Sequence, residues 1–328
     1  MISYLRLIRV QNLLFIAFIQ IVIQQTVLYP ILQTFGFDTA MDSAMLSLLI
    51  AATVLIAAGG YTLNDYFDIK IDAINRPNKQ IVGNIINRKT AMIIYQILTG
   101  IGISCGLLLA YFTKSATLAF IFIIVPGILW FYSASYKRQF LVGNLTVSFL
   151  TALTILVVGI TQMAFLQKEF GSLIFETKIP RQLYGWTGGF ALFSFLCTWI
   201  RETIKDLEDE KGDREMECHT LAIIWGAKKT KILLYFLIVI TISSLLILNN
   251  LYIHFEGTLT FRYIIFGIVL PFFALCYLIY MAKTPAEFHQ ASTLSKVIML
   301  IGILYCFIFY YLQAKTYGIS LFNIFILK

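Results

Sequence analysis

Nine stretches of the 328-residue chain run for about 20 residues without Asp, Glu, Lys or Arg, near 10–32, 44–63, 90–112, 115–134, 144–165, 183–200, 232–253, 263–281 and 297–313. At about 1.5 Å per residue, each is long enough to cross a hydrocarbon layer of about 30 Å as an α-helix. Lipid offers no partner to a backbone N–H or C=O, so such stretches satisfy themselves as helices. Only 13% of the residues are charged and 59% are hydrophobic, where a soluble domain has about 25% charged. The pattern predicts an all-α, polytopic membrane protein with nine transmembrane helices, built as a single membrane domain over residues 1–328. The first stretch follows Arg6 and Arg9 but is too long for a signal-peptide core and lacks a small-residue cleavage site, so it reads as a retained helix.

Basic residues set the expected orientation. With the N-terminus cytoplasmic, the N-terminal arm and the connections after helices 2, 4, 6 and 8 hold 18 of the 25 Lys and Arg. That bias predicts the N-terminus inside and the C-terminus outside. The net charge of +8 then follows from topology, with anionic membrane lipids as contacts and no nucleic-acid partner.

Two acidic clusters stand out in a chain with 17 acidic residues. Asn64, Asp65, Asp68 and Asp72 would span an arc of about 100° on one helix face. Asp206, Asp209 and Asp213 repeat the spacing, with Glu202 joining their face and Gly212 expected to end that helix early. Carboxylates crowded on one face repel one another and invite a cation. Oxygen ligands suit Mg²⁺, which takes one or two carboxylates together with phosphate oxygens and water. Both clusters follow even-numbered helices and are expected on the same cytoplasmic side, with Arg76 and Arg214 close behind them.

The remaining signals are fewer. Arg9 and Asn12 would sit at the cytoplasmic end of helix 1, where interface anchoring suffices to explain them. Helix 2 carries Ala57, Ala58, Gly59 and Gly60 just before the first cluster, small residues that permit close helix packing. The link Tyr111 to Ser115 is short enough to make helices 3 and 4 an antiparallel pair. Trp130-Phe-Tyr-Ser-Ala-Ser-Tyr-Lys-Arg138 has the composition of any membrane interface; in a functional reading Lys137 and Arg138 supply positive charge to a phosphate and Tyr132 a hydroxyl. Pro271 is expected to kink helix 8. The five cysteines show no metal or disulfide spacing, and the three histidines stand apart. No span has an ionisable Asp, Glu, Lys or Arg near its middle, where ion-coupled transporters place coupling sites. A transporter or lipid scramblase with cation-binding acidic loops is the alternative outside the enzymes.

Asn64-Asp-x-x-Asp-x-x-x-Asp72 with Asn75-Arg-Pro77, and Arg201-Glu-x-x-Lys-Asp-x-x-Asp-x-x-x-Asp213, resemble the two Asp-rich motifs of the UbiA superfamily of intramembrane prenyltransferases. The resemblance covers essentially the whole chain. It implies nine helices around a central cavity, and transfer of an isoprenoid from a prenyl diphosphate donor to a lipid or aromatic acceptor, with Mg²⁺ as cofactor. By the same resemblance Asn64, Asp65, Asp68, Asp72, Asp206, Asp209 and Asp213 hold the metal. Asp68, Asp72, Asp209, Lys137 and Tyr132 carry the catalysis, and Asn64, Arg76, Lys79, Arg138 and Lys205 bind the diphosphate. Tyr132 and Lys137 stand for a Tyr/Lys pair that many members space one residue closer. Lys79-Gln-Ile-Val-Gly83 departs from the family's longer, proline-bearing loop, which puts a lid role for it in doubt. The form of the first motif is similar to that of members acting on glyceryl phosphate lipid precursors or forming chlorophyll. Geranylgeranylglyceryl phosphate is therefore the expected acceptor, with hydroxybenzoate or dihydroxynaphthoate of quinone pathways as alternatives.

Overall fold

The computed structural model describes residues 2–37, 41–75, 80–253, 255–321 and 325–326. Arg76 and Lys79 lie outside the described residues. The long helices are α1 (Val10–Thr34), α2 (Ser43–Phe67), α4 (Arg88–Thr113), α5 (Ala116–Ala134), α6 (Val142–Phe170), α7 (Ile179–Glu208), α9 (Leu221–Tyr252), α10 (Leu259–Met281) and α11 (Pro285–Tyr317). Two short ones, α3 (Ile69–Asn75) and α8 (Glu210–Glu215), follow α2 and α7. Among the described residues nine helices are long and apolar enough to cross a membrane, in the places where the charge-free runs predict them. Several begin at side-chain caps: Asp42 accepts from Met45 N at 2.7 Å, and Thr284 and Glu287 form a capping box on α11.

Small residues decide how closely the helices approach. A Cβ on Gly102 of α4 would lie 2.8 Å from Ile56 Cγ1 and 3.2 Å from Ala52 O on α2. The same economy brings Gly159 of α6 against Thr187 of α7, and Gly302 of α11 against the Phe193 ring. One large apolar core runs through α1, α2, α5, α6 and α7, and a second joins α7, α9, α10 and α11. Val10–Val22 of α1 packs on α2 and α6, whereas the remainder of that helix packs on α11.

Two prolines follow widened turns. Ile23–Leu28 of α1 and Ile264–Val269 of α10 are π-helical, and each ends two residues before a proline, Pro30 and Pro271. A proline ring crowds the carbonyl four residues back and offers it no N–H; a widened turn relieves both problems. Pro271, where a kink is expected, follows such a wide turn.

On the face that carries the acidic clusters, Leu7 of a short N-terminal helix (Ile2–Leu7) packs with Val82, Ile86 and Ala91 in a separate small core. The described part of the loop before α4 is tied down there. Gln80 Nε2 donates to Ile69 O at 3.0 Å, and Gly83, at φ +95°, donates to Ile86 O at 2.9 Å.

Candidate active site

Neither acidic cluster lies on one continuous helix. α2 ends at Phe67 and α7 at Glu208, and the middle aspartate of each cluster forms the break: Asp68 at φ −91°, ψ 5°, and Asp209 at φ −95°, ψ 6°. The chain re-enters helix in the same way at both, with Asp72 N bonded to Asp68 O and Asp213 N to Asp209 O. The expectation of a single helical face is corrected here. The second break falls at Asp209, and Gly212, expected to end the helix, sits inside α8. α3 and α8 pack against each other, which brings the clusters together on one side of the bundle, and Asp213 feels the charge of Asp68.

Lys137 stands at the junction. Its ammonium is 2.5 Å from Asp68 Oδ1 and donates to Asn64 Oδ1 at 3.0 Å, while Asn64 Nδ2 donates to Asp68 Oδ2 at 2.9 Å. Burial lowers the Lys137 pKa, and Asp68 opposes that shift. Arg138 donates through Nη2 to Phe67 O at 3.3 Å, and its own carbonyl accepts from His219 N. The 136–138 turn is thereby clamped between α2 and the start of α9. Gly143 makes this possible: a Cβ there would lie 2.7 Å from Lys137 Cα and 2.9 Å from Tyr136 O. Tyr132, one turn inward on α5, is within electrostatic reach of Glu202, Asp68 and Asp206.

Three partners of the clusters carried no assigned role in the sequence. Arg9 Nη2 pairs with Asp65 Oδ1 at 3.0 Å, which makes it more than an interface anchor. Asn144, which follows Gly143, donates to Asp206 Oδ2 at 2.9 Å. Thr220 Oγ1 donates to Asp213 Oδ2 at 3.1 Å. Burial pushes Asp213 up to about 6; the Thr220 bond opposes that rise, and Asp209 and Asp68 add to it. Their signal in the sequence was only a polar residue at the edge of an apolar run. His289 also proves to be paired, with Glu208 at 2.9 Å. The Lys205 ammonium bonds Glu202 Oε2 at 2.9 Å.

The donors at this mouth are carboxylate and amide oxygens. Among the described residues no three acidic, His or Cys side chains stand close enough to enclose a metal ion by themselves. Mg²⁺ takes one or two carboxylates and completes its shell with phosphate oxygens and water. The set fits Mg²⁺ and would not favour a soft metal.

A nine-span bundle with two facing acidic breaks, rimmed by lysine and arginine at one membrane mouth, defines an intramembrane enzyme site for a phosphorylated, lipid-soluble substrate. The chain belongs to the UbiA prenyltransferase family, whose sequence profile matches residues 27–301. It is 34% identical over 252 residues to the digeranylgeranylglyceryl phosphate synthase of Methanosphaera stadtmanae, covering 76% of this chain and 82% of that one. Among solved structures, one described as digeranylgeranylglyceryl phosphate synthase in membranes superposes with a TM-score of 0.62 at 24% identity, covering 94% of this chain and 97% of the other. A UbiA homologue from Archaeoglobus fulgidus bound to DMAPP and Mg²⁺ superposes with a TM-score of 0.57 at 14% identity, covering 93% and 99%.

Proposed function

We propose that the chain transfers a geranylgeranyl group from its diphosphate to the free hydroxyl of geranylgeranylglyceryl phosphate, forming an ether, with Mg²⁺ as cofactor. The carrying observation is the meeting of α3 and α8 beside the Lys137–Asn64–Asp68 cluster. In support stand the name of the Methanosphaera relative and the Mg²⁺ and prenyl diphosphate bound by the Archaeoglobus homologue. The positive-inside bias supports a cytoplasmic N-terminus and site, with the C-terminus outside.

Asn64, Asp65, Asp68 and Asp72 on one side, and Asp206, Asp209 and Asp213 on the other, would hold the metal. Bound there, Mg²⁺ supplies Lewis-acid neutralisation of the charge that builds on the departing diphosphate. Lys137 and Arg138 contribute charge-assisted hydrogen bonds to the same oxygens, and Arg76 and Lys79 follow the first cluster closely enough in sequence to add to them. Asp68 keeps the Lys137 ammonium charged in a setting whose burial disfavours it, so the donor meets a cation already in place. The allylic carbon then points into the apolar bundle, where the ring of Tyr132 can face the developing cation and water is excluded. The acceptor hydroxyl gives up its proton to a carboxylate of the site as the new C–O bond forms.

Purified protein given geranylgeranyl diphosphate and geranylgeranylglyceryl phosphate should release pyrophosphate only with a divalent cation present. Full release in excess EDTA would remove the metal from this reading.

A further inference from the structure

The proposed acceptor carries a phosphate of its own, and the cations at the mouth fall into two groups. Lys137 and Arg138 lie on the α5–α6 turn. The second group lies on α7 and α11. Thr198, Arg201 and Lys205 are spaced three and four apart and so share one side of α7. Arg201 Nη1 and Lys205 Nζ both donate to the one carboxylate of Glu202, at 2.6 and 2.9 Å. α7 and α11 run antiparallel, with Phe193 on Gly302 and Glu208 bonded to His289, which sets Lys296 at the level of Arg201. Lys296 interacts electrostatically with Arg201, Lys205 and Glu202, is exposed, and makes no ion pair among the described residues.

Arg201 and Lys205 thus share one carboxylate at the edge of the apolar layer, with Lys296 acting on Glu202 and Glu208; cations gathered this closely repel one another and favour an added anion. A second observation points the same way. Arg201 Nε and Thr198 Oγ1 are buried without a hydrogen-bond partner, although Thr198 is only 5% exposed. Groups of this kind are normally satisfied. The N-terminal half of α1 packs on α2 and α6, while Lys296 on α11 stands exposed.

We infer that Arg201, Lys205 and Lys296, with Thr198, bind the phosphate monoester of the lipid acceptor, leaving Lys137 and Arg138 to the donor diphosphate. This rests on the acceptor proposed above, and it moves Lys205 from the donor to the acceptor. A phosphate monoester carries a charge of about −1.5 to −2 at neutral pH, which suits a site where the cations Arg201, Lys205 and Lys296 outnumber the carboxylates Glu202 and Glu208. It would hold the glycerol hydroxyl beside the acidic breaks while the acceptor's chain extends into the bilayer.

The test is Lys296→Gln, assayed with geranylgeranyl diphosphate and geranylgeranylglyceryl phosphate in zwitterionic vesicles and in vesicles containing anionic lipid. KM for the phosphorylated acceptor should rise about tenfold or more, and KM for the donor should stay within twofold, which also shows that the variant is folded. The preference for this acceptor over its dephosphorylated alcohol should fall by a similar factor, and Lys296→Arg should restore most of it. An unchanged acceptor KM, or an equal rise for the donor, would overturn the assignment; so would a loss confined to anionic vesicles, which would make the cluster a bilayer-lipid site. Binding of the phosphorylated acceptor alone, measured on both proteins, separates the two readings. Weaker binding by the variant, with no ether product from either protein, would keep the phosphate site and remove the proposed reaction.

Discussion

Lys137 pairs with Asp68, and in the proposed reaction the same ammonium offers a cation to the departing diphosphate. The pair is largely buried, with side-chain exposures of 12% and 13%, so removing one member strands the other. Breaking such a pair costs about 3–5 kcal/mol, whereas replacing both members with neutral groups is often tolerated. Asp68→Asn should therefore lower the thermal midpoint and cut turnover by about 100-fold or more. Adding Lys137→Met to that background should recover much of the stability and none of the turnover. Recovery of both, in a melt and a pyrophosphate assay run side by side, would show that the pair is structural only. Spacing alone placed the carboxylates and flagged Lys137. It gave no hint that Arg9, Asn144 and Thr220 complete the clusters, because a single polar residue at the end of an apolar run looks the same whether it meets lipid headgroups or a carboxylate across the bundle.

The decisive feature at the level of elements is that α2 and α7 each stop one residue short of a central aspartate and restart after it. A helical period was readable in Asn64–Asp72 and Asp206–Asp213, but the break was not, since neither Phe67 nor Glu208 is a helix breaker and Gly212 drew attention to the wrong place. The turn that carries Lys137 depends on Gly143 in the same silent way: the glycine matters because of what lies 2.7 Å from its missing Cβ. Gly143→Val should force the start of α6 away from that turn, at a cost of about 1–3 kcal/mol. Displacing the Lys137 backbone should lower turnover more than the loss of folded protein explains, and Gly143→Ala should show the same effect at smaller size. Equal activity per folded molecule in a paired melt and turnover measurement would mean that the turn does not position Lys137.

For the whole molecule, the nine spans were legible because lipid imposes the same length and apolarity on every crossing helix. Beyond the α4–α5 pair that the short Tyr111–Ser115 link predicts, which helices touch was not, as it rests on contacts such as Gly102 against Ile56 and Gly302 against Phe193. That arrangement brings two clusters more than 130 residues apart in sequence to one mouth, where the proposed reading assigns Lys137 and Arg138 to the donor and Arg201, Lys205 and Lys296 to the acceptor. Two anionic headgroups meeting at one membrane surface is what ether formation between a prenyl diphosphate and a phosphorylated glyceryl lipid needs. The purified enzyme should be supplied with geranylgeranyl diphosphate, Mg²⁺ and an equimolar mixture of geranylgeranylglyceryl phosphate and dihydroxynaphthoate, and its products identified by mass. The doubly prenylated glyceryl phosphate ether is the expected product; exclusive prenylation of the aromatic ring would contradict the proposed acceptor.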